Sequence, residues 1–230
     1  MIPKGSRINT CGLFSAAPEL SFSLADRHVS AFTDKPVIYQ FWHCLFENKQ
    51  RLYNILTDSS FRFSGTLDYN LLQKTLPSYE DAYIRSSLFF MLNRCSNTGQ
   101  ISCGEFSPRS YNEKALHSLR AFQRPELFNI FLYKERHQDM LDCDYLLFHS
   151  LSFSYNLTHL GTVESYDNYS FRNKKLKVFL TSTDSKVILV YNRHPALFKF
   201  YEGQSLIMID KYGKITENRD QHEELIVTNF

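Results

Sequence analysis

The chain has 230 residues, of which 43% are hydrophobic, 15% aromatic and 22% charged. This composition excludes an intrinsically disordered protein and predicts one well-buried α/β domain that carries a small insertion. The formal net charge of +2 neither requires nor excludes a nucleic-acid partner, because it still allows a local basic patch.

Strands and helices alternate along most of the chain. Residues 7–14 predict a first short strand and the turn after it, and further strands are predicted at residues 28–33, 127–133, 145–148, 186–191, 206–210 and 223–230. Helices are predicted from Pro18, from Pro36 to Ile55, and at residues 66–76, 79–92, 111–122, within 162–180 and at 195–201. Residues 93–108 are rich in turn formers and predict a hairpin-like excursion. The alternation predicts an α/β fold in which a mixed sheet is flanked by helices. We expect residues 1–60 and 125–230 to form the core, and residues 61–124 to form a helical and hairpin insertion.

The polar residues around the fourth predicted strand include few candidates for a metal site or a catalytic site. His149 ends this strand, where it is either a catalytic base or a hydrogen-bonded histidine at the rim of a pocket. Asp139, Asp142 and Asp144 lie close together, but they lack a glycine-containing loop and predict a solvated connector, so we expect no metal site. The five cysteines contain no CxxC pair, which favours reduced thiols over a disulfide framework.

The N-terminal residues have no apolar h-region, and no apolar run approaches the roughly 18 residues of a membrane span. The sequence therefore predicts neither a signal peptide nor a membrane partner, and it predicts a cytoplasmic location.

Three stretches resemble the DNA adenine methylases, which methylate the exocyclic amino group of adenine with S-adenosylmethionine. Leu92-Asn-Arg and, after a turn-rich run, Gly104-Glu-Phe are similar to the "LNR…NG…GEF" hairpin of that family. The ending Glu224-Leu-Ile-Val-Thr-Asn-Phe resembles the "ELLITNY" terminal strand of the family. The stretch Lys186-Val-Ile-Leu-Val-Tyr-Asn is similar to the strand before the late helix of the family. The resemblance implies a Rossmann-like methyltransferase fold, and it implies that residues 61–124 correspond to the DNA-recognition region of the family.

The cofactor motifs of the family are degenerate in this chain. The glycine-rich motif E-P-F-x-G-x-G aligns with residues 10–16, where Gly12 is followed by Phe14 and Ala16 in place of the two later glycines. A phenylalanine ring at that place would fill space that the cofactor needs. Asp34 stands where the ribose-binding acid of the family would lie, although an aspartate before Lys-Pro is also an ordinary turn residue. The chain also lacks the leading F-x-K-W-x-G-G-K segment.

The catalytic motif D-P-P-Y, which holds the target amino group and stacks on the flipped base, is also degenerate. It aligns with a loop formed by Ser150, Leu151, Ser152 and Phe153, where only Phe153 keeps a stacking face. An alternative alignment places Cys143-Asp144-Tyr145 against the motif with both prolines deleted. We therefore expect a catalytically inactive methyltransferase-like protein that binds no cofactor. The alternative is an active adenine-specific DNA methyltransferase with divergent motifs, which would use S-adenosylmethionine.

The partners implied are DNA, a protein partner or a second copy of the chain, in a binding, structural or assembly role. The resemblance also implies a viral origin in a phage, with the host cytoplasm or the virion as the location. The residues predicted to contact nucleic acid are Arg94, Asn97, Arg109, Tyr111, Arg172, Lys174 and Lys175.

Overall fold

The protein consists of two compact units. The computed structural model describes residues 2–11, 17–58, 65–97, 101, 104–133, 137–151 and 166–230, and of these only the backbone at 17, 137–138, 150–151 and 166–172. We call Met1–Asp34 with Pro125–Phe230 the sheet unit, and Lys35–Arg124 the helical unit. The helical unit begins at Lys35 and not at the predicted residue 61, because the long helix that starts at Pro36 packs against the helices that follow it in the chain.

The sheet unit is built on a mixed sheet, which confirms the predicted α/β class. Its described strands are β1 (Arg7–Cys11), β2 (His28–Thr33), β3 (Phe128–Leu132), β4 (Tyr145–Leu151), β5 (Lys186–Asn192), β6 (Ser205–Asp210), β7 (Ile215–Thr216) and β8 (His222–Thr228). They lie in the order β3-β2-β1-β4-β5-β8-β6-β7. The five from β3 to β5 run parallel, and β8 pairs antiparallel with both β5 and β6.

Hydrophobic residues at alternating strand positions pack against helix residues and form the core of this unit. In β5, Val187, Leu189 and Tyr191 are fully buried, while the residues between them are partly exposed. Such a run of β-branched and large apolar side chains is typical of a central strand. The helices of this unit are α1 (Ala17–Leu24), α6 (Tyr166–Ser182) and α7 (Ala196–Phe200).

The strand β4 is longer than predicted, and this changes the motif assigned to it. The sequence predicts a strand that ends at Phe148 and a loop that includes Ser150. In the structure β4 continues to Leu151, which pairs with Tyr191, and the register shifts between Phe148 and Leu151. Such a shift, a β-bulge or another irregularity of the ladder, lets the strand continue past residues that interrupt its alternation.

The helical unit contains α2 (Pro36–Thr57), α3 (Thr66–Thr75), α4 (Ala82–Arg94) and α5 (Glu113–Ala121). Pro36 occupies the first turn of α2, where its missing N–H leaves no hydrogen bond unmade. Asp81 caps α4, because its carboxylate accepts hydrogen bonds from the backbone N–H groups of Tyr83 and Ile84. A core of leucine and aromatic side chains from α2, α4 and α5 holds the unit together.

The base of the predicted hairpin is confirmed. Ser96 and Phe106 form an antiparallel bridge, and the N–H of Asn97 donates to the carbonyl of Glu105 at 3.0 Å. The tip lies outside the described residues, apart from Ile101, which is buried.

Candidate functional site

The carboxyl ends of β1 and β4 form the place where a ligand binds in most open α/β sheets. The chain order reverses between these strands, because β1 pairs with β2 on one side and with β4 on the other. In open α/β sheets the crossover connections leave such a pair of strands in opposite directions, and ligands bind in the crevice between them.

A buried network of three polar side chains lies at this edge. Glu19, in the first turn of α1, is fully buried, as is Thr10 near the end of β1. One carboxylate oxygen of Glu19, Oε1, accepts a hydrogen bond from the Thr10 hydroxyl at 3.0 Å. The same oxygen lies 2.7 Å from Nε2 of His149, whose side chain is 6% exposed and which belongs to the part of β4 where the register shifts.

This arrangement satisfies most of the polar groups of the network. A buried carboxylate is stabilised by a hydrogen-bond donor, and one oxygen of Glu19 accepts from the Thr10 hydroxyl and also contacts Nε2 of His149. Its second oxygen, Oε2, has no hydrogen-bond partner among the described residues. Chemically, the network links β1, β4 and α1, and it leaves one carboxylate oxygen available to a further donor.

The sequence analysis identified His149 but not its partner. The expected alternatives were a catalytic base or a hydrogen-bonded rim histidine, and the structure places the side chain in the interior against Glu19. Glu19 carries no motif of its own. The only signal was an acidic residue in the first turn of a short helix, which is common because it favours the positive end of the helix dipole.

Most of the positions that align with the cofactor motifs of the methylases lie outside the described residues. This holds for Gly12, Phe14 and Ala16 of the glycine-rich match. Asp34 follows directly after β2, at the carboxyl edge of the sheet, and it is exposed. Its position is the one that the resemblance assigns to a ribose-binding acid.

The positions that match D-P-P-Y are divided by the end of β4. Ser150 and Leu151 belong to the strand and not to a loop, and their side chains are outside the described part, as are Ser152 and Phe153 altogether. The alternative alignment places Asp144 in the motif. That aspartate instead accepts the backbone N–H of Arg7 at 2.8 Å, while Asp142 pairs with the Arg7 guanidinium at 2.9 Å. These exposed ion pairs agree with the predicted solvated connector.

No model of a known protein family matches this chain, and no curated protein matches it either. Among the described helices, none has the length and apolar character needed to cross a membrane. Within the same residues, no three His, Cys, Asp or Glu side chains come together in a way that suits a metal ion.

The predicted nucleic-acid residues of the helical unit have two different roles. Arg94, at the end of α4, and Arg109 are both exposed. Asn97 instead closes the hairpin, where its side-chain carbonyl accepts the N–H of Glu105 at 3.1 Å. Tyr111 donates its hydroxyl to the carbonyl of Leu56 at 3.0 Å, and burial raises the pKa of Tyr111 to about 12. Asn97 and Tyr111 therefore stabilise the unit, whereas the two arginines face solvent.

The other predicted contacts belong to the sheet unit. Lys174 and Lys175 are exposed on α6. Arg172 lies on the same helix, and its side chain is outside the described part.

A set of arginine–aromatic pairs in the helical unit was not predicted. The guanidinium of Arg51 lies 4.2 Å from the centre of the Tyr83 ring, and that of Arg124 lies 4.7 Å from the Phe46 ring. Two further pairs are Arg94 with Phe90 at 5.6 Å and Arg120 with Tyr53 at 5.3 Å. Of these four pairs, only Phe90 and Arg94 stand four residues apart on one helix. The other three join different segments of the chain, which helical spacing does not reveal.

Proposed function

We propose that this protein is a methyltransferase-like protein that does not transfer methyl groups and that binds nucleic acid through its helical unit. The parallel order β3-β2-β1-β4-β5 supports a Rossmann-like body. The strand β8 adds antiparallel to β5, which makes the sheet mixed, as the resemblance to the methylases leads us to expect. A protein partner, self-association and a viral origin stay predictions of the sequence.

Two features support the absence of methyl transfer. First, β4 continues through Ser150 and Leu151, so the place of the motif carboxylate falls on a strand residue without charge. Second, the polar side chains at the crevice bond to one another, since Glu19 accepts from Thr10 and lies against His149. A site that transfers a methyl group needs polar groups that point at its ligands.

The segregation of charge between the two units carries the proposal of nucleic-acid binding. Residues 35–124 contain 11 Lys and Arg against 7 Asp and Glu, a net charge of +4, whereas the remaining residues contain 15 against 17, a net charge of −2. The overall charge of +2 is therefore the sum of a basic helical unit and an acidic sheet unit. Neutralisation of backbone phosphates by Lys and Arg supplies most of the affinity for DNA that does not depend on sequence.

The exposure and the aromatic contacts of four arginines support the same proposal. Arg51, Arg94, Arg120 and Arg124 are all exposed, and each has its guanidinium over an aromatic ring. Stacking holds the planar guanidinium in place, and its geometry suits a bidentate contact with phosphate. The Arg51 guanidinium also donates to the Asp81 carboxylate at 2.7 Å, so Arg51 is partly engaged within the unit.

Binding to duplex DNA as a function of salt tests this proposal. We expect an affinity that falls steeply with salt concentration, and we expect the double variant Arg94→Ala, Arg109→Ala to lower the magnitude of the log–log slope by about 2. The matched control is Lys174→Ala, Lys175→Ala, which removes the same charge from the sheet unit. Equal losses in both variants, or no salt-dependent binding, would overturn the proposal.

A second function, active adenine methylation, is favoured by one observation. Oε2 of the buried Glu19 has no hydrogen-bond partner among the described residues, and it lies at the edge of the sheet where a cofactor would bind. Calorimetric titration with S-adenosylmethionine decides between the two functions. Micromolar binding that Glu19→Gln abolishes would replace the first proposal with the second.

A further inference from the structure

The helix α2 is interrupted at Asn48, and a pocket opens at the interruption. Asn48 has φ −151° and ψ 76°, which are not helical angles. Its side-chain oxygen accepts the backbone N–H of Arg51 at 3.0 Å, so Asn48 acts as the N-cap of the second half of the helix. The pocket has a volume of about 390 Å³ and is lined by residues 45–50 and 122–124, all within the helical unit. Pockets that hold small ligands measure roughly 300–1,000 Å³.

Aromatic rings form one side of this pocket. Phe46 and Phe122 are half-buried, and their rings are nearly parallel, at an interplanar angle of 17° and a centroid distance of 6.2 Å. Trp42 packs on both rings, at 5.7 Å from each. Ring faces of this kind are the surfaces on which unstacked bases stack.

Cations form the rim. Arg124 is exposed and lies over the Phe46 ring at 4.7 Å, so its planar guanidinium adds a second stacking surface. Lys49 is half-buried and donates to the carbonyl of Phe122 at 2.6 Å, which fixes its ammonium at the pocket. Glu47 also lines the pocket, but it is exposed and lies 3.4 Å from His43, outside the lining.

We propose that this pocket binds one unstacked nucleotide of a single-stranded nucleic acid. The base would stack on the outer face of the Arg124 guanidinium, whose inner face lies on the Phe46 ring, and its phosphate would lie near Lys49. The inference rests on the proposed nucleic-acid binding of the helical unit, and it adds a site for single strands that is separate from the exposed Arg94 and Arg109. Aromatic faces together with cations are the combination that recognises a base and its phosphate, whereas an apolar peptide would need no cation here.

Trp42 makes the pocket directly observable, because it is the only tryptophan of the chain and packs on both ring walls. We would titrate the full chain with a short single-stranded thymidine oligonucleotide and follow the Trp42 emission. We expect a saturable change, and an affinity about tenfold weaker in Arg124→Ala, since stacking contributes roughly 1–3 kcal/mol per base. Arg124→Lys keeps the charge but loses the planar face, so we expect it to weaken binding as well.

Two further variants control for charge and for folding. Lys114→Ala removes one exposed cation of α5 outside the pocket, and we expect its affinity to stay within about twofold of the unmodified chain. Phe46→Leu keeps the apolar volume and removes a ring face, so it should weaken binding while its thermal unfolding stays cooperative. Unchanged affinity in Arg124→Ala would overturn the inference. So would inorganic phosphate that produces the same emission change at the same concentration, because the pocket would then be a simple anion site.

The outcome separates this inference from the proposed function. Salt-dependent binding of duplex that depends on Arg94 and Arg109, without any change in Trp42 emission on adding the single strand, would remove the pocket alone. Loss of duplex binding together with a single-strand signal that depends on Arg124 would remove the duplex surface and keep the pocket.

Discussion

The two units place their polar side chains in opposite ways. The sheet unit contains a buried network in which polar side chains bond to one another, formed by Thr10, Glu19 and His149. In the helical unit four arginines are exposed and lie on aromatic rings, as in the pair of Arg94 and Phe90. A buried network fixes the geometry of a fold, whereas an exposed guanidinium can contact a partner.

This difference indicates which unit is the better candidate for binding a large partner. The sheet unit contains a second buried network of polar side chains. The Tyr191 hydroxyl lies 2.8 Å from the side-chain oxygen of Asn173 and 2.7 Å from the Tyr201 hydroxyl, which links β5, α6 and the residue after α7. An exposed arginine also stacks on a ring in the sheet unit, where Arg219 lies 4.6 Å from the centre of the Phe198 ring. Four such pairs lie in the helical unit, which carries the net positive charge, so we expect an anionic partner to contact mainly that unit.

The largest effect is expected from breaking the network at the carboxyl edge of the sheet. Glu19→Ala leaves His149 and Thr10 buried without their shared acceptor, so we expect the free energy of unfolding to fall by about 3 kcal/mol. Glu19→Gln keeps an acceptor oxygen and should lose less. Urea denaturation measures both variants. A loss below about 1 kcal/mol in Glu19→Ala would show that water reaches the network, and the contrast between the units would then weaken.

The tyrosine network should give the next largest effect. Tyr191→Phe removes a hydroxyl that meets two buried partners, and we expect a loss of about 2 kcal/mol in the free energy of unfolding. Tyr212→Phe, at a side chain that is 74% exposed, is the matched control and should change little. If both variants unfold at the same urea concentration, the Tyr191 hydroxyl does not hold the sheet unit together.

The same network predicts a dependence on alkaline pH. Burial raises the pKa of Tyr201 from 10.0 to about 12, and burial likewise raises the pKa of Tyr191. Because the folded state holds these protons more tightly than the unfolded chain, stability is fully present below pH 10 and is lost as the pH rises towards about 12. Thermal melting across this range should therefore show a falling melting temperature. The fall should be shallower in Tyr191→Phe, and equal slopes would argue against burial as its cause.

In the helical unit, a smaller effect is expected from the cap of α4. The backbone N–H groups of Ile84 and Tyr83, together with the Arg51 guanidinium, hold the pKa of Asp81 below its usual value. Its contribution is present above the unfolded pKa of 3.8 and is lost as the pH falls through the lower folded value. Asp81→Ala should lower the free energy of unfolding by about 1 kcal/mol at neutral pH, and Asp81→Asn should lose less, because asparagine is also a good cap. A larger loss in Asp81→Asn than in Asp81→Ala would contradict the capping role.

The sequence predicts the elements better than the contacts between them. The β2 strand and the start of α2 at Pro36 follow from local signals, namely a β-prone run and a proline that fits the first helical turn. The contact of Glu19 with His149 joins residues 130 positions apart, which no periodicity reveals. The end of β4 was placed too early because His149 and Ser150 read as polar loop residues, whereas the strand continues past them through a register shift.

The interruption of α2 was not predicted, because the sequence predicts one continuous helix from Pro36 to Ile55. Its local signal is the polar run Glu47-Asn-Lys-Gln, in which asparagine favours the position before a new helix. What the sequence does not contain is the approach of Phe122 and Arg124 to that point, which depends on the packing of α5 against α2. The pocket is therefore a tertiary feature that was found only in the structure.

The smallest effect on stability should come from a stacked surface arginine, and it tests the comparison most directly. The guanidinium of Arg120 lies 5.3 Å from the centre of the Tyr53 ring, and its exposed side chain contributes about 0.5 kcal/mol at such a site. We expect Arg120→Ala to unfold almost as the unmodified chain does in urea, yet to bind duplex DNA several-fold more weakly at low salt. Glu19→Ala should show the reverse, with lower stability and, where the chain is folded, unchanged affinity. If Arg120→Ala instead lowers stability by more than about 1 kcal/mol and leaves DNA affinity unchanged, the stacked arginines belong to the packing of the helical unit, because their donors then serve the fold and not a partner.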